Sequence, residues 1–125
     1  MKIAAHIAAT LLGLGFIMFS LMVLLNMAPI PKDLPPMVAQ FMGVFGPSGW
    51  LKFVKTFELI GGILVLIPKT RNFGLLVLGP IVVNILAFHT FIMKGEGLMG
   101  PPLVVAVLAA FLLWAERSAF ARLMN

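Results

Sequence analysis

The stretch from Gly79 to Gly97, GPIVVNILAFHTFIMKGEG, decides the fold, because it begins as a long apolar run and yet contains polar residues. A helix that crosses the hydrocarbon core of a bilayer needs about 20 apolar residues. Pro80, Asn84 and His89 interrupt this run, and polar side chains in lipid normally face protein and find partners. The stretch therefore predicts a membrane helix whose polar groups serve either packing or function.

The composition of the chain agrees with a lipid environment. Of its 125 residues, 62% are hydrophobic and 10% are charged, whereas soluble domains carry about 25% charged residues. The chain has no cysteine, which excludes disulfides, thiolate metal sites and dithiol redox relays. The net charge of +5 comes from basic residues scattered singly between apolar runs, so we expect no nucleic-acid partner and a lipid bilayer as the main environment.

Four apolar stretches predict an all-α integral membrane protein. They cover about residues 3–27, 50–67, 73–93 and 101–116 of a single domain, 1–125. Their apolar residues are continuous rather than alternating, which favours helices over a β-barrel. The first is interpreted as a retained span, because its apolar run exceeds the ~7–15 residues of a signal-peptide core. Short connections predict a four-helix up-down-up-down bundle, with small residues at the contacts: Ala5, Ala9, Gly13, Gly61, Gly62, Ala106 and Ala110.

The segment APIPKDLPPMVAQFMGVFGPSGW, residues 28–50, separates the first two stretches. Prolines such as Pro29 and Pro31 prevent a regular helix at its start. Residues 37–45 are apolar but too short to cross a bilayer, which predicts a short interfacial or re-entrant helix. Ser48 and Trp50 suit a helix cap and a headgroup-level anchor for the second span.

The distribution of basic residues predicts the orientation. Four spans put both termini on one side, together with Lys2, Lys69, Arg71, Arg117 and Arg122. The other side holds Lys32 and Lys94, with Lys52 near the boundary. The positive-inside rule therefore places both termini in the cytoplasm.

Four polar residues of the second and third spans form the candidate site. The second span, WLKFVKTFELIGGILVLIP from Trp50, carries Lys55 and Glu58. At 1.5 Å rise per residue, Lys55 and Glu58 lie roughly 7 and 12 Å inside the outer boundary, while His89 and Asn84 lie roughly 6 and 13 Å inside it. The matched depths predict that Lys55, Glu58, Asn84 and His89 meet, with Ser20 at a similar depth. Pro80 predicts a kink that makes room beside them.

These residues have two interpretations. They line a pocket for a small amphipathic ligand such as quinone, whose carbonyls need donors in an apolar cleft, and Glu58 or His89 exchanges a proton. Alternatively, they only lock helices together in a non-enzymatic accessory or assembly subunit. A small transporter is a weaker third reading, and it would need a homo-oligomer. No cofactor or metal site is encoded, since His6 and His89 lie at opposite faces, and an enzyme acting alone is not expected.

The same residues resemble the DoxX family of small bacterial membrane proteins. The resemblance rests on Lys55, Glu58, Gly61 and Gly62, followed by Gly79, Pro80, Asn84, Phe88 and His89, and covers about residues 50–93. It implies a four-helix protein of the bacterial inner membrane. It also implies an association with respiratory redox or oxidative-stress complexes, because some relatives are membrane subunits of a quinone-linked oxidoreductase.

Overall fold

The computed structural model describes residues 2–27 and 33–124, which are almost entirely helical and contain no strand. The all-α prediction is confirmed for these residues. Lys32 and the prolines at 29 and 31 lie outside them. The elements in chain order are α1 (Lys2–Leu24), α2 (Pro36–Phe45), α3 (Trp50–Leu66), α4 (Arg71–Ala87), a π-helical segment (Phe88–Ile92), α5 (Pro101–Ala115), α6 (Arg117–Ala121) and a 3₁₀ turn (Arg122–Met124).

Two helices are long and apolar enough to span a membrane. They are α1, with 23 residues, and the helix of 22 residues that α4 forms with the π-helical segment. A third candidate exists if α5 and residues 117–124, which meet at a bend of 73°, count as one span. With 17 residues, α3 is shorter than these. The described residues thus hold two or three candidate spans by length and composition.

The contact between α1 and α3 is a direct approach of two backbones. A Cβ atom at Gly13 would lie 2.8 Å from the Gly62 carbonyl oxygen, and one at Gly62 would lie 2.9 Å from the Gly13 carbonyl oxygen. Gly13 also faces Leu66, whereas Gly62 faces Ile17, so the two helices run antiparallel. Small residues let helices approach this closely, and close packing replaces the hydrophobic effect as the source of association in lipid.

A second glycine contact joins α3 to α4, and α5 closes the arrangement. Gly61 packs against Leu78, and Gly74 packs against Val65, which makes α3 and α4 antiparallel as well. The helix α5 contacts both α4 and α1, and residues of α1, α3, α4 and α5 contribute to one hydrophobic core. In α5 the core-facing residues include Ala109 and Leu112, while Ala110 is exposed, so this predicted member of the small-residue stripe lies outside the contact.

The molecule has two chemically different ends. We call the end where α1 and α4 begin the Lys2 end, and the end where α3 begins the Trp50 end. At the Trp50 end, α2 contacts its neighbours through aromatic rings that are tilted against each other. The ring centroids of Phe41 and Phe88, in the π-helical segment, are 4.8 Å apart, and those of Phe45 and Trp50 are 5.8 Å apart. Val38 is the buried residue of α2.

Asn26 ends α1 in a left-handed conformation, with φ of 56°. The amide of Asn26 donates to the Val23 carbonyl at 3.1 Å, and that of Met27 donates to Met22 at 2.7 Å. These two bonds form a Schellman motif, in which asparagine replaces the usual glycine. The apolar run therefore stops being helical at Leu24 for a local reason, before the proline-rich segment.

We expect the Gly13–Gly62 contact to be sensitive to a single methyl group. Gly13→Ala should lower the free energy of unfolding by about 1–3 kcal/mol, because the new Cβ meets a backbone oxygen that cannot move aside. Gly15→Ala is the matched control, since a Cβ there meets nothing within 4 Å. It should stabilise α1 by up to about 1 kcal/mol. Thermal or denaturant unfolding in detergent measures both, and equal effects would contradict this packing.

Candidate functional site

Glu58 is a carboxyl group in the helical core. Its residue is 3% exposed, and it lies on the same face of α3 as Gly61, Gly62 and Val65, at the spacing that defines one side of a helix. The Lys55 ammonium group donates to Glu58 Oε1 at 3.3 Å, one turn earlier in α3. This pair is the only salt bridge among the described residues. Glu58 thus has a cationic partner, as expected for a polar side chain in lipid.

The partner of Glu58 is less enclosed than Glu58 itself. The side chain of Lys55 is 20% exposed, against 4% for Glu58. A long lysine stem can lie along apolar surface while its charge stays near the boundary. The pair therefore extends from the buried Glu58 to the partly exposed Lys55.

Ser20 of α1 lies at the level of Glu58. Its residue is 0% exposed, and its hydroxyl donates to the Ile17 carbonyl at 3.0 Å. Since Ile17 faces Gly62, continuing outward along the antiparallel helices brings Ser20 opposite Glu58. The buried faces of α1 and α3 thus contribute one polar residue each at this height. The predicted common depth of these two residues agrees with the helix contacts.

Asn84 does not share that level. Gly61 of α3 contacts Leu78 of α4. Because the two helices are antiparallel, Glu58, three residues before Gly61, lies level with residue 81, three residues after Leu78. Asn84 lies about one turn further toward the Trp50 end, near the height of Lys55. Its side chain is exposed and donates through Nδ2 to the Pro80 carbonyl at 2.9 Å. The structure thus brings Lys55 and Glu58 together and leaves the Asn84 amide on the outer face of α4.

His89 belongs to the π-helical segment. Its Nδ1 is 2.9 Å from the Ile85 carbonyl oxygen, its own carbonyl accepts from the Gly95 amide at 2.7 Å, and its ring is half-buried. Single π-helical turns within α-helices are often found at functional sites, since they widen the helix and redirect side chains. Here the widened turn directs the chain into the glycine-rich loop after Met93. Sequence periodicity assumes 3.6 residues per turn and so does not reveal this π-helical segment.

Pro80 lies inside α4 without ending it. The helix continues from Arg71 to Ala87, and residues on both sides of Pro80 keep helical geometry. The bond from Asn84 to the Pro80 carbonyl lies on the exposed side of this helix. One role of Asn84 is therefore local, because its side-chain amide donates to the carbonyl of Pro80 itself.

A groove of about 500 Å³ lies at the Trp50 end, between the start of α2 and the loop after the π-helical segment. Its walls are mostly apolar, with an amide, an ammonium and a carboxyl group at the rim. They comprise Pro35, Pro36, Met37, Gln40, Ile92, Met93, Lys94 and Glu96. The four predicted binding residues are not among these walls. His89 lies behind the loop, with its ring 3.7 Å from the position that a Cβ at Gly97 would take.

The sequence reasoning missed a polar contact at the Lys2 end. Arg71, interpreted as a loop charge, is 6% exposed. Its Nε donates to the Val65 carbonyl at 3.0 Å, and its Nη1 lies 3.3 Å from His6 Nδ1. The available signal was position: His6 and Arg71 each lie within about one turn of the same predicted boundary. The described residues contain no cluster of three potential metal-ligating side chains.

Comparisons with protein-family models, with curated proteins and with solved structures find no match to this chain. The site is therefore interpreted from its own residues.

We expect the Lys55–Glu58 pair to be coupled. Lys55→Met leaves a buried carboxylate without its cation and should cost about 2–3 kcal/mol, somewhat less than a fully enclosed pair because Lys55 is partly exposed. The double variant Lys55→Met/Glu58→Met should lose less than the sum of the two single variants, by about 1–2 kcal/mol. Lys52→Met, at an exposed lysine of the same helix, should change stability by no more than about 0.5 kcal/mol. Unfolding of all four proteins in one detergent completes the cycle, and strict additivity would show that the two side chains do not interact.

Proposed function

We propose that this chain is a four-span, DoxX-like protein of the bacterial inner membrane with up-down-up-down topology and both termini in the cytoplasm. The antiparallel contacts of α1 with α3 and of α3 with α4 support this topology. In the proposed arrangement α3 is the second span. Its 17 residues rise about 25 Å, a few ångströms less than a typical hydrocarbon core, and Trp50 and Lys52 at its start reach the headgroups. Lys2, Lys69 and Arg71 at the Lys2 end favour that end as the cytoplasmic one.

Within this architecture, we infer that the chain acts as a non-enzymatic accessory or assembly subunit. The charges of Lys55 and Glu58 satisfy each other, and Ser20 bonds to its own helix. A ligand would have to displace these internal bonds to use the groups. Such an arrangement fixes which face of α3 turns toward the other helices, because a rotated α3 would leave the carboxylate of Glu58 in hydrocarbon.

The observation that carries the accessory role is the exposure of Asn84. On the outer face of α4 it lies beside Val83, which is 65% exposed, so its surroundings in a membrane are lipid or another helix. The bond to Pro80 uses one amide hydrogen, and no bond to its Oδ1 occurs within residues 2–27 and 33–124. An amide with free bonding capacity is costly in lipid and is satisfied by a polar group of a neighbouring helix. The face of α4 around Asn84 is thus the proposed contact with a partner.

The DoxX resemblance suggests what the partner is. Relatives in that family join respiratory redox or oxidative-stress complexes, so a membrane helix of a redox protein fits the face, as does a second copy of this chain. Electron transfer would then depend on the partner, since this chain has neither cysteine nor, in its described residues, a metal-ligating cluster.

A second candidate function is binding of a small amphipathic ligand such as quinone. The groove at the Trp50 end favours it, since apolar walls meet the donors of Gln40 and Lys94 at one rim. Of the four predicted binding residues, His89 is nearest to this groove through the loop that carries Gly97. Lys55, Glu58 and Asn84 would then contribute to binding only through helix positions.

We expect Asn84→Leu to weaken association without unfolding the protein. The loss should be about threefold or more in the fraction that native mass spectrometry finds associated in mild detergent, corresponding to one interhelical hydrogen bond. Thr90→Val is the matched control, because Thr90 is also exposed on this helix and bonds to a carbonyl four residues earlier, at 2.7 Å. Association that survives Asn84→Leu unchanged would remove the proposed contact.

Because the chain has no cysteine, Asn84→Cys reports on this position alone. Oxidative cross-linking into a dimer identifies a second copy as the partner, whereas a redox protein gives a cross-link of different mass. A quinone retained by the wild-type protein, released by Gln40→Ala and unaffected by Asn84→Leu, would favour the ligand-binding function instead.

A further inference from the structure

At the Lys2 end, the structure describes a buried guanidinium group with no carboxylate within ion-pair distance among residues 2–27 and 33–124. Arg71 is 6% exposed, and the one salt bridge among residues 2–27 and 33–124 is that of Lys55 with Glu58. Arg71 is also the first residue of α4, where the helix dipole presents its positive end, and Thr70 before it makes no side-chain cap. The acceptors beside this cation, the Val65 carbonyl and the His6 Nδ1, carry no negative charge. An anion would offset both the side-chain charge and the helix end.

His6 connects this buried charge to the surface. Arginine has only donors, so the contact of Nη1 with His6 Nδ1 at 3.3 Å requires Nδ1 to accept and leaves the ring proton on Nε2. His6 itself is exposed. Lys2 lies one turn earlier on the same side of α1, and Lys69 is exposed in the turn before α4. Four nitrogen-bearing side chains thus gather where α1 and α4 begin.

A shallow, open apolar groove lies on the surface of α1 beside His6. It holds about 250 Å³ and is lined by His6, Ile7, Thr10 and Leu11, all from this helix. The hydroxyl of Thr10 donates to the His6 carbonyl at 2.8 Å, so the groove offers little unsatisfied polarity. Ile7 and Leu11 are 56% and 57% exposed. A cationic group at one end of an apolar groove matches a molecule with a charged head and a hydrocarbon tail.

We propose that the Lys2 end is a binding site for an anionic phospholipid. The phosphate sits at His6 Nε2 and the basic side chains around Arg71, and one acyl chain lies against Ile7, Thr10 and Leu11. Inorganic phosphate shares the headgroup chemistry, but the groove beside His6 selects the lipid. The proposal depends on the chain lying in a membrane and not on its role as an accessory subunit.

The test uses the purified full chain in neutral detergent micelles. Three additives are compared by native mass spectrometry and thermal shift: phosphatidylglycerol, phosphatidylcholine and inorganic phosphate. Wild-type protein should bind phosphatidylglycerol about fivefold or more tightly than phosphatidylcholine, which is the effect of roughly one basic contact to an anionic headgroup. Equal binding of the two lipids, or phosphate binding as strong as that of phosphatidylglycerol, would overturn the lipid site.

Single substitutions test where on the protein the lipid binds. His6→Leu keeps the bond from Arg71 to Val65 and should abolish the preference, with a lower melting temperature because Arg71 Nη1 loses an acceptor. Arg71→Gln should abolish it as well, and if that variant fails to fold, His6→Leu decides alone. Lys94→Gln, at the Trp50 end, and Asn84→Leu should both retain the preference. A preference that survives His6→Leu, or that Lys94→Gln removes equally, would show only nonspecific attraction to positive charge.

Discussion

The structure depends on the contact of two backbones at Gly13 and Gly62. Because neither residue has a side chain, the carbonyl oxygen of each lies where a Cβ atom would otherwise stand. This contact fixes the height of α1 against α3 over their whole length. It brings Ser20 opposite Glu58 in one direction. In the other direction it brings His6 to the end of α3, where Arg71 of α4 bonds to Val65 and contacts His6. A shift of α1 by one turn, about 5.4 Å, would change both placements. Packing of the smallest residues therefore positions the most polar ones.

Burial of Glu58 has a structural consequence that burial of another leucine would not have. Apolar side chains tolerate sliding in lipid, since each new neighbour is as apolar as the last. A carboxylate in lipid must stay close to a cation. Here the cation, Lys55, comes from the same helix, three residues earlier. The pair travels with α3, so it specifies which face of α3 turns inward, while the glycine contacts specify the height. Face and height are thus set by different residues.

Much of the fold follows from the sequence, and the reasons are local. The runs of apolar residues predict elements where the structure has helices, and the short connections around residues 68 and 97 coincide with turns. Pairing of Lys55 with Glu58 was also predictable, because residues three apart on a helix are neighbours. The height of Asn84 relative to Glu58 was not predictable, since depths counted from assumed membrane boundaries cannot detect an offset of one helical turn. The π-helical turn at His89 and the inward path of Arg71 depend on tertiary contacts that no spacing encodes.

The polar groups of the described residues divide into satisfied and unsatisfied ones. Ser20, Lys55 and Glu58 bond to their own helices. Bonding capacity is left at the Asn84 Oδ1 and the His6 Nε2, which belong to exposed residues, and at the Asn72 Oδ1, which is buried next to Arg71. The recognition that we propose is directed outward, toward lipid headgroups at one end and a neighbouring helix along α4, because the His6 Nε2 and the Asn84 Oδ1 have bonding capacity left in those two places.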